Sequence, residues 1–185
     1  MAWWTVANLL TGIRGLLVPV VVWAIVEQAW AAAFLVFWLA VATDMLDGRV
    51  ARRRQEVSRL GGILDHAVDA LFVSGGLAAL SAEGIVPTVL APLVVLAFLQ
   101  YALDSRVLAG RSLRTSFLGR NNGIAYYVLL GAPIVAETLG LNWPGPGLLQ
   151  AVGWLLVVTT GVSMLDRAAT LLLNRKVPDS PGEET

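Results

Sequence analysis

Asp44-Met45-Leu46-Asp47-Gly48-Arg49-Val50-Ala51-Arg52 is followed, after eight residues, by Gly61-Gly62-Ile63-Leu64-Asp65-His66-Ala67-Val68-Asp69. Four aspartates fall within 26 residues, and long apolar segments flank them on both sides. Asp44 and Asp47 are spaced i, i+3, and Asp65 and Asp69 are spaced i, i+4. On helices each spacing puts its pair on one face. Gly61 lies one turn before Asp65 on the same stripe. Gly48 and Ala51 project within about 40° of Asp44 at 100° per residue. Small residues beside acids leave room for a ligand to lie against backbone.

Converging acids repel one another, and a charge at membrane depth costs several kcal/mol unless paired or metal-bound. Divalent cations are the simplest compensation. With no Cys and a single His in the chain, carboxylate oxygens favour Mg²⁺ or Mn²⁺ over Zn²⁺. Two ions about 4 Å apart, sharing carboxylates, are a common device for in-line displacement at phosphorus. Arg52 offers a bidentate donor for phosphate. The local chemistry points to a metal-bound diphosphate.

The stretch resembles the CDP-alcohol phosphotransferase (CDP-alcohol phosphatidyltransferase) family, integral membrane enzymes of phospholipid synthesis. The family motif is D-x-x-D-G-x-x-A-R, eight residues, then G-x-x-x-D-x-x-x-D. Asp44, Asp47, Gly48, Ala51, Arg52, Gly61, Asp65 and Asp69 match every fixed position.

Of the 185 residues, 57% are apolar and only 14% are charged, and the mean hydropathy is +0.72. This is an integral membrane composition at a length that suits one domain. The formal charge is zero, which leaves no overall basic field for nucleic acid. The N-terminal stretch lacks the basic region and small-residue cleavage site of a secretory signal, so the first helix is expected to be retained.

Six apolar segments are predicted as transmembrane helices, over 8–27, 30–48, 60–81, 85–104, 119–139 and 147–173. Each is near or above the 20 or so residues that span a bilayer core. An amphipathic N-terminal stretch carries Trp3 and Trp4 at headgroup level. The fold class is therefore an all-α membrane bundle, with a domain over 1–173 and a polar, disordered tail over 174–185. All thirteen basic residues fall on one side of this scheme. They are Arg14, the group Arg49 to Arg59, the group Arg106 to Arg120, and Arg167, Arg175 and Lys176. The positive-inside rule then puts both termini and the acids in the cytoplasm, with a bacterial inner membrane as the expected location. Asn142-Trp143-Pro144-Gly145-Pro146-Gly147 reads as an external turn.

The first segment carries Asn8, Thr11 and Arg14 at i, i+3, i+6. The family shows Pro-Asn-x-x-Thr-x-x-Arg near this point, with Ala7 here in place of the Pro. The resemblance puts this face near the nucleotide end of the donor, while the residues alone equally allow capping and interfacial anchoring. Arg106, Arg111, Arg114 and Arg120 offer guanidinium groups on the same side. They fit either an anionic acceptor or ordinary positive-inside topology. Ser58 can cap the third helix. Arg53, Arg54 and Arg59 are expected to meet anionic lipid. His66 points about 100° away from Asp65 and reads as structural or interfacial. Trp23, Trp30, Trp38 and Trp154 read as lipid-facing or interfacial.

The resemblance implies a homodimer that moves a phosphatidyl group from a CDP-linked lipid, commonly CDP-diacylglycerol, to an alcohol, releasing CMP. It implies that Asp44, Asp47, Asp65 and Asp69 hold metal and that Asp69 is also the general base. Arg52 would bind the diphosphate, with Gly48, Ala51 and Gly61 admitting the nucleotide. Members making phosphatidylglycerol phosphate tend to read Ser-x-x-Gly-Lys-x-Lys-Thr and Asp-Pro-x-x-Asp-Lys. Here the matching stretches are Ser116-Phe-Leu-Gly119-Arg120-Asn121-Asn122-Gly123 and Asp65-His-Ala-Val-Asp69-Ala70, which weakens a glycerol-phosphate acceptor. An intramembrane prenyltransferase would need a larger bundle with two separated Asp motifs. A cation transporter would bind at the bilayer midplane and would not require Arg52 or the glycines. A silent scaffold is the third alternative, set against four intact acids.

Overall fold

The computed structural model describes residues 6–54, 59–107 and 117–174, with side chains over 9–46, 61–103 and 119–170. Six helices follow in order: α1 (Val6–Val26), α2 (Trp30–Arg54), α3 (Arg59–Ala82), α4 (Leu90–Val107), α5 (Phe117–Leu139) and α6 (Pro146–Asn174). Each predicted segment falls on one of them. Among the described residues α1, α3 and α6 contain stretches long and apolar enough to cross a membrane: Leu9–Val26, Gly61–Ala82 and Pro146–Thr170. Two shorter apolar stretches, Trp30–Leu46 and Leu90–Leu103, lie in α2 and α4. Both stretches end at the last residue of their helix whose side chain is described, Leu46 and Leu103. The polar tail beyond Asn174 and the cap position Ser58 lie outside the described residues.

The fourth segment differs from its expected start. Apolar residues 85–89 form the turn before α4 instead of its first turn. Gly84, at φ 73°, ends α3 in a left-handed residue, with Ile85 N–H returning to the Leu80 carbonyl at 3.0 Å. α1 and α5 end the same way. Gln28 (φ 54°) and Gly140 (φ 64°) take the left-handed position, and Ala29 and Leu141 donate back to Ala24 and Ala136 at 2.8 Å. This is the Schellman geometry that satisfies the last carbonyls of a helix. Gln28 adopts it without being glycine, and its amide donates to Glu83 at 3.0 Å. Gln150 donates to the Gly84 carbonyl at 2.8 Å, so this end of the bundle is closed by side-chain ties between turns.

α1 packs on α2 and α3, α3 on α4 and α5, and α6 on α4 and α5. The core runs through Ile25, Phe37, Phe72, Leu80, Leu130 and Ile134. At Gly131 the chain approaches so closely that an added Cβ would lie 2.5 Å from Cζ of Phe37, which fixes the distance between α2 and α5. The outside is apolar as well: Leu16, Leu35 and Leu165 are about 70% exposed (73%, 69% and 72%). A helix apolar all round needs an apolar surrounding on every side. Trp23, Trp38 and Trp154 face outward, at 56%, 48% and 53% exposure. Trp30 instead packs against the core, and its carbonyl accepts a hydrogen bond from Thr138 at 3.0 Å.

Candidate active site

The acids come from two helices and their counter-charge from a third. Asp44 lies toward the C-terminal part of α2, and Asp65 and Asp69 stand one turn apart on α3. α1 packs against both helices, which carries Arg14 between them. Its side chain has 0% exposure. Arg14 Nη1 lies 3.2 Å from Asp44 Oδ1 and 3.0 Å from Asp65 Oδ1, and it also pairs with Asp69 Oδ1. Thr11, one turn earlier on the same face, donates to Asp65 Oδ1 at 3.4 Å. A fully buried guanidinium is sustained only by such ion pairs and hydrogen bonds.

A second group of donors reaches the site from α5. Tyr127 donates its hydroxyl hydrogen to Asp69 Oδ1 at 3.1 Å. Its neighbour Tyr126 points to α6, where its hydroxyl meets Thr160. Asn122 joins the same contact: it accepts from Thr159 at 3.1 Å and donates to Thr160 at 3.4 Å. Gln100 of α4 donates to the Met164 carbonyl at 2.9 Å. These polar bridges pin α4 and α5 to α6 where apolar packing alone would leave register free.

Between α3, α4, α5 and α6 lies a cavity of about 600 Å³, with Asp44 and Asp69 in its wall. Arg120 and Arg167 also line it. The Arg167 guanidinium lies over the Tyr101 ring, 5.3 Å from its centroid, a favourable cation–π placement. His66 also lies against that ring, at 5.9 Å between centroids. Gly119 makes room for Arg167, since a Cβ there would sit 2.9 Å from Nη2. Among the described residues Arg167 forms no salt bridge, so its charge is available to an anion.

The donor set fits a divalent cation. Carboxylate oxygens of Asp44, Asp65 and Asp69 already converge on one positively charged nitrogen. Ligand atoms of Asp65, His66 and Asp69 lie within 4.8 Å of one another. Oxygen-rich sites of this kind suit hard cations.

The structure thus brings together Thr11, Arg14, Asp44, Asp65 and Asp69, with half-buried Gly61 one turn away on α3. Arg120 stands apart from them, exposed and lining the cavity. The side chains of Asn8, Asp47, Gly48, Ala51, Arg52 and Arg106 lie outside the described residues, as do Arg111 and Arg114 altogether. Sequence reasoning missed Tyr127 and Arg167, and it gave His66 no place beside the acids. Arg167 had a readable signal, a charge within the last apolar segment. Tyr127 had none, because a pair of adjacent tyrosines does not say which one faces α3.

The chain is similar to the cardiolipin synthase (CMP-forming) of Streptomyces coelicolor, with 36% identity over 45% of this chain and 41% of that protein. It is similar to the human cardiolipin synthase (CMP-forming), with 34% identity over 50% of this chain and 31% of the other. A CDP-diacylglycerol–glycerol-3-phosphate 3-phosphatidyltransferase of Pseudomonas fluorescens is 37% identical over 42% of each chain. The chain therefore aligns with less than half the length of these curated relatives. The family model for CDP-alcohol phosphatidyltransferase, by contrast, matches residues 4–164 and so takes in all the residues gathered around Arg14. Acids from two helices gathered on an arginine from a third, and a match that begins before α1 and reaches into α6, lead to one conclusion: the chain belongs to the CDP-alcohol phosphatidyltransferase family.

Proposed function

We propose that the protein transfers a phosphatidyl group from CDP-diacylglycerol to the hydroxyl of an alcohol acceptor and releases CMP. The observation that carries this reading is the convergence of Asp44, Asp65 and Asp69 on one buried cation at the wall of the cavity. Asp44, Asp47, Asp65 and Asp69 would hold Mg²⁺ or Mn²⁺, in two ions on the family pattern. Bound there, the metal neutralises charge on the diphosphate. Arg52, with Gly48, Ala51 and Gly61, would receive the CDP diphosphate, and Asn8, Thr11 and Arg14 would line the approach from α1. The acceptor oxygen attacks the phosphorus that carries the diacylglycerol ester. The bond from that phosphorus to the bridging oxygen breaks, and CMP leaves with the electron pair. The hydroxyl proton passes to the Asp69 carboxylate.

Arg120 and Arg167, on the far side of the cavity, suit an acceptor that carries a phosphate as well as a hydroxyl. Phosphatidylglycerol is the acceptor we favour. Cardiolipin synthases are among the relatives, the lysine pattern of glycerol-phosphate users is missing, and the cavity has an apolar flank of Val73, Val94, Phe98 and Ile124. The same reading places six crossings in a bacterial inner membrane, with both termini and the acids cytoplasmic, and residues 1–173 as one catalytic unit. It also includes a homodimer, on the family pattern.

The test is release of labelled CMP from CDP-diacylglycerol by the purified chain across a panel of acceptors. Release that depends on phosphatidylglycerol supports the proposal. Release with glycerol 3-phosphate alone reassigns the acceptor. No release with any alcohol overturns the reading.

A further inference from the structure

Asp69 is the acid whose direction matters most, because the proposed function gives it the acceptor's proton. Its place on α3 fixes its Cα, yet a carboxylate can still turn about both side-chain torsions. Two donors limit that freedom. Arg14 and Tyr127 both donate to Oδ1, and among the described residues no donor takes Oδ2.

The two donors are not equivalent. Arg14 is shared with Asp44 and Asp65, so its position answers to the whole cluster. Among the described residues Tyr127 holds Asp69 alone of the acids. Two aromatic rings pack near it. Phe72 of α3 stacks on it at 6.4 Å and 17°, and Phe37 of α2 lies at 6.5 Å and 51°. The hydroxyl is therefore delivered from α5 by a ring that packs near rings of α2 and α3, and it meets a carboxylate that lines the cavity.

We propose that Tyr127 is a positioning residue for the transfer: its hydroxyl fixes the Asp69 carboxylate through Oδ1, so that Oδ2 is turned to the acceptor hydroxyl. This rests on the functional reading above. The contact serves geometry, since small misplacements of a reacting group are costly to rate and leave remote binding energy intact.

The experiment compares the full-length chain with its Tyr127→Phe variant in the same lipid–detergent mixture. Phe keeps the ring beside Phe37 and Phe72 and removes only the hydroxyl. Turnover should fall by roughly 10-fold to 10²-fold, the range expected for a displaced catalytic group. KM for CDP-diacylglycerol should stay within about twofold, because uniform binding is unaffected. A merely structural role would move the thermal midpoint and KM together and leave no selective loss of turnover. In the Asp69→Glu background, where the carboxylate is already displaced, removing the hydroxyl should have little further effect on turnover. A double-mutant cycle with Asp69→Asn, read on thermal unfolding, reports the contact without any need for activity. Wild-type turnover in Tyr127→Phe, or strictly additive effects in the cycle, would overturn the proposal. If the wild-type chain releases no CMP, the functional reading fails, and the unfolding cycle still decides whether Tyr127 holds Asp69.

Discussion

Arg14 Nη1 lies 3.0 Å from Asp65 Oδ1, and the same nitrogen serves Asp44 and Asp69. One guanidinium on α1 thus offsets three carboxylates on α2 and α3. Arg14→Gln should leave these acids repelling one another. Breaking a fully buried pair costs about 3–5 kcal/mol, and we expect roughly 1–3 kcal/mol here because the acids keep some solvent contact. Their exposure is 42%, 27% and 22%. Thermal unfolding in detergent should show a lower midpoint without divalent cation and a partial recovery with Mg²⁺. An unchanged midpoint in chelator would mean that the ion pairs add nothing.

Metal removal should abolish CMP release, and Mg²⁺ or Mn²⁺ should restore it. Oxygen donors favour these hard ions, so Zn²⁺ should restore it poorly. Direct titration of Mn²⁺ by its paramagnetic signal gives the number bound, with two as the expected value and none as the outcome that would sink the reading.

Asp69→Asn and Asp44→Asn should fail in different ways. The first keeps the shape and one oxygen but loses the base, so turnover should drop by about 10²- to 10⁴-fold. Donor affinity should suffer less than in Asp44→Asn, where a metal ligand is lost before the donor docks. Equal loss of donor affinity in both would make Asp69 chiefly a metal ligand.

Arg120→Gln and Arg167→Gln should raise KM for the acceptor about tenfold or more relative to KM for the donor, since loss of a charge-assisted hydrogen bond costs about 1.5–3 kcal/mol. Gly119→Ala should have a smaller effect than Arg167→Gln, because the new Cβ would meet only the far end of the guanidinium, which can shift and keeps its charge. Small, equal effects on both substrates would leave these arginines as topology signals only.

Orientation can be read chemically, because the chain contains no Cys. With basic residues facing the cytoplasm, an impermeant thiol reagent on intact cells should label a cysteine placed at Glu83 and spare one placed at Arg54. The opposite pattern would invert the topology.

The sequence makes the helices easy to find and their neighbours hard to find. Each apolar segment announces a helix, and the i, i+3 and i, i+4 spacings place the acids on faces. Where a helix stops depends on local chemistry that hydropathy does not register. Ile85, Val86 and Val89 are apolar, yet they lie in the turn that follows the left-handed Gly84 (φ 73°) and not in a helix. Which segments touch is set by long-range packing, as where Gly131 admits Phe37. Arg14 shows the same limit within the site. Its spacing from Thr11 put it on the right face, but only the packing of α1 against α2 and α3 brings it onto the acids. Tyr127 depends on a contact across 58 positions of chain, beyond the reach of any local pattern.

The clustering of acids and counter-charge in α1, α2 and α3 also bears on how the molecule is made. Chains are synthesised from the N-terminus, and early segments can associate before later ones appear. Arg14 precedes all the acids it pairs with. When α2 and then α3 arrive, the cation that offsets Asp44, Asp65 and Asp69 is therefore already in place, and the acids are compensated while α4, α5 and α6 are still to come. Tyr127 is supplied last, so the hydroxyl that holds Asp69 is added to a cluster that already has its buried cation.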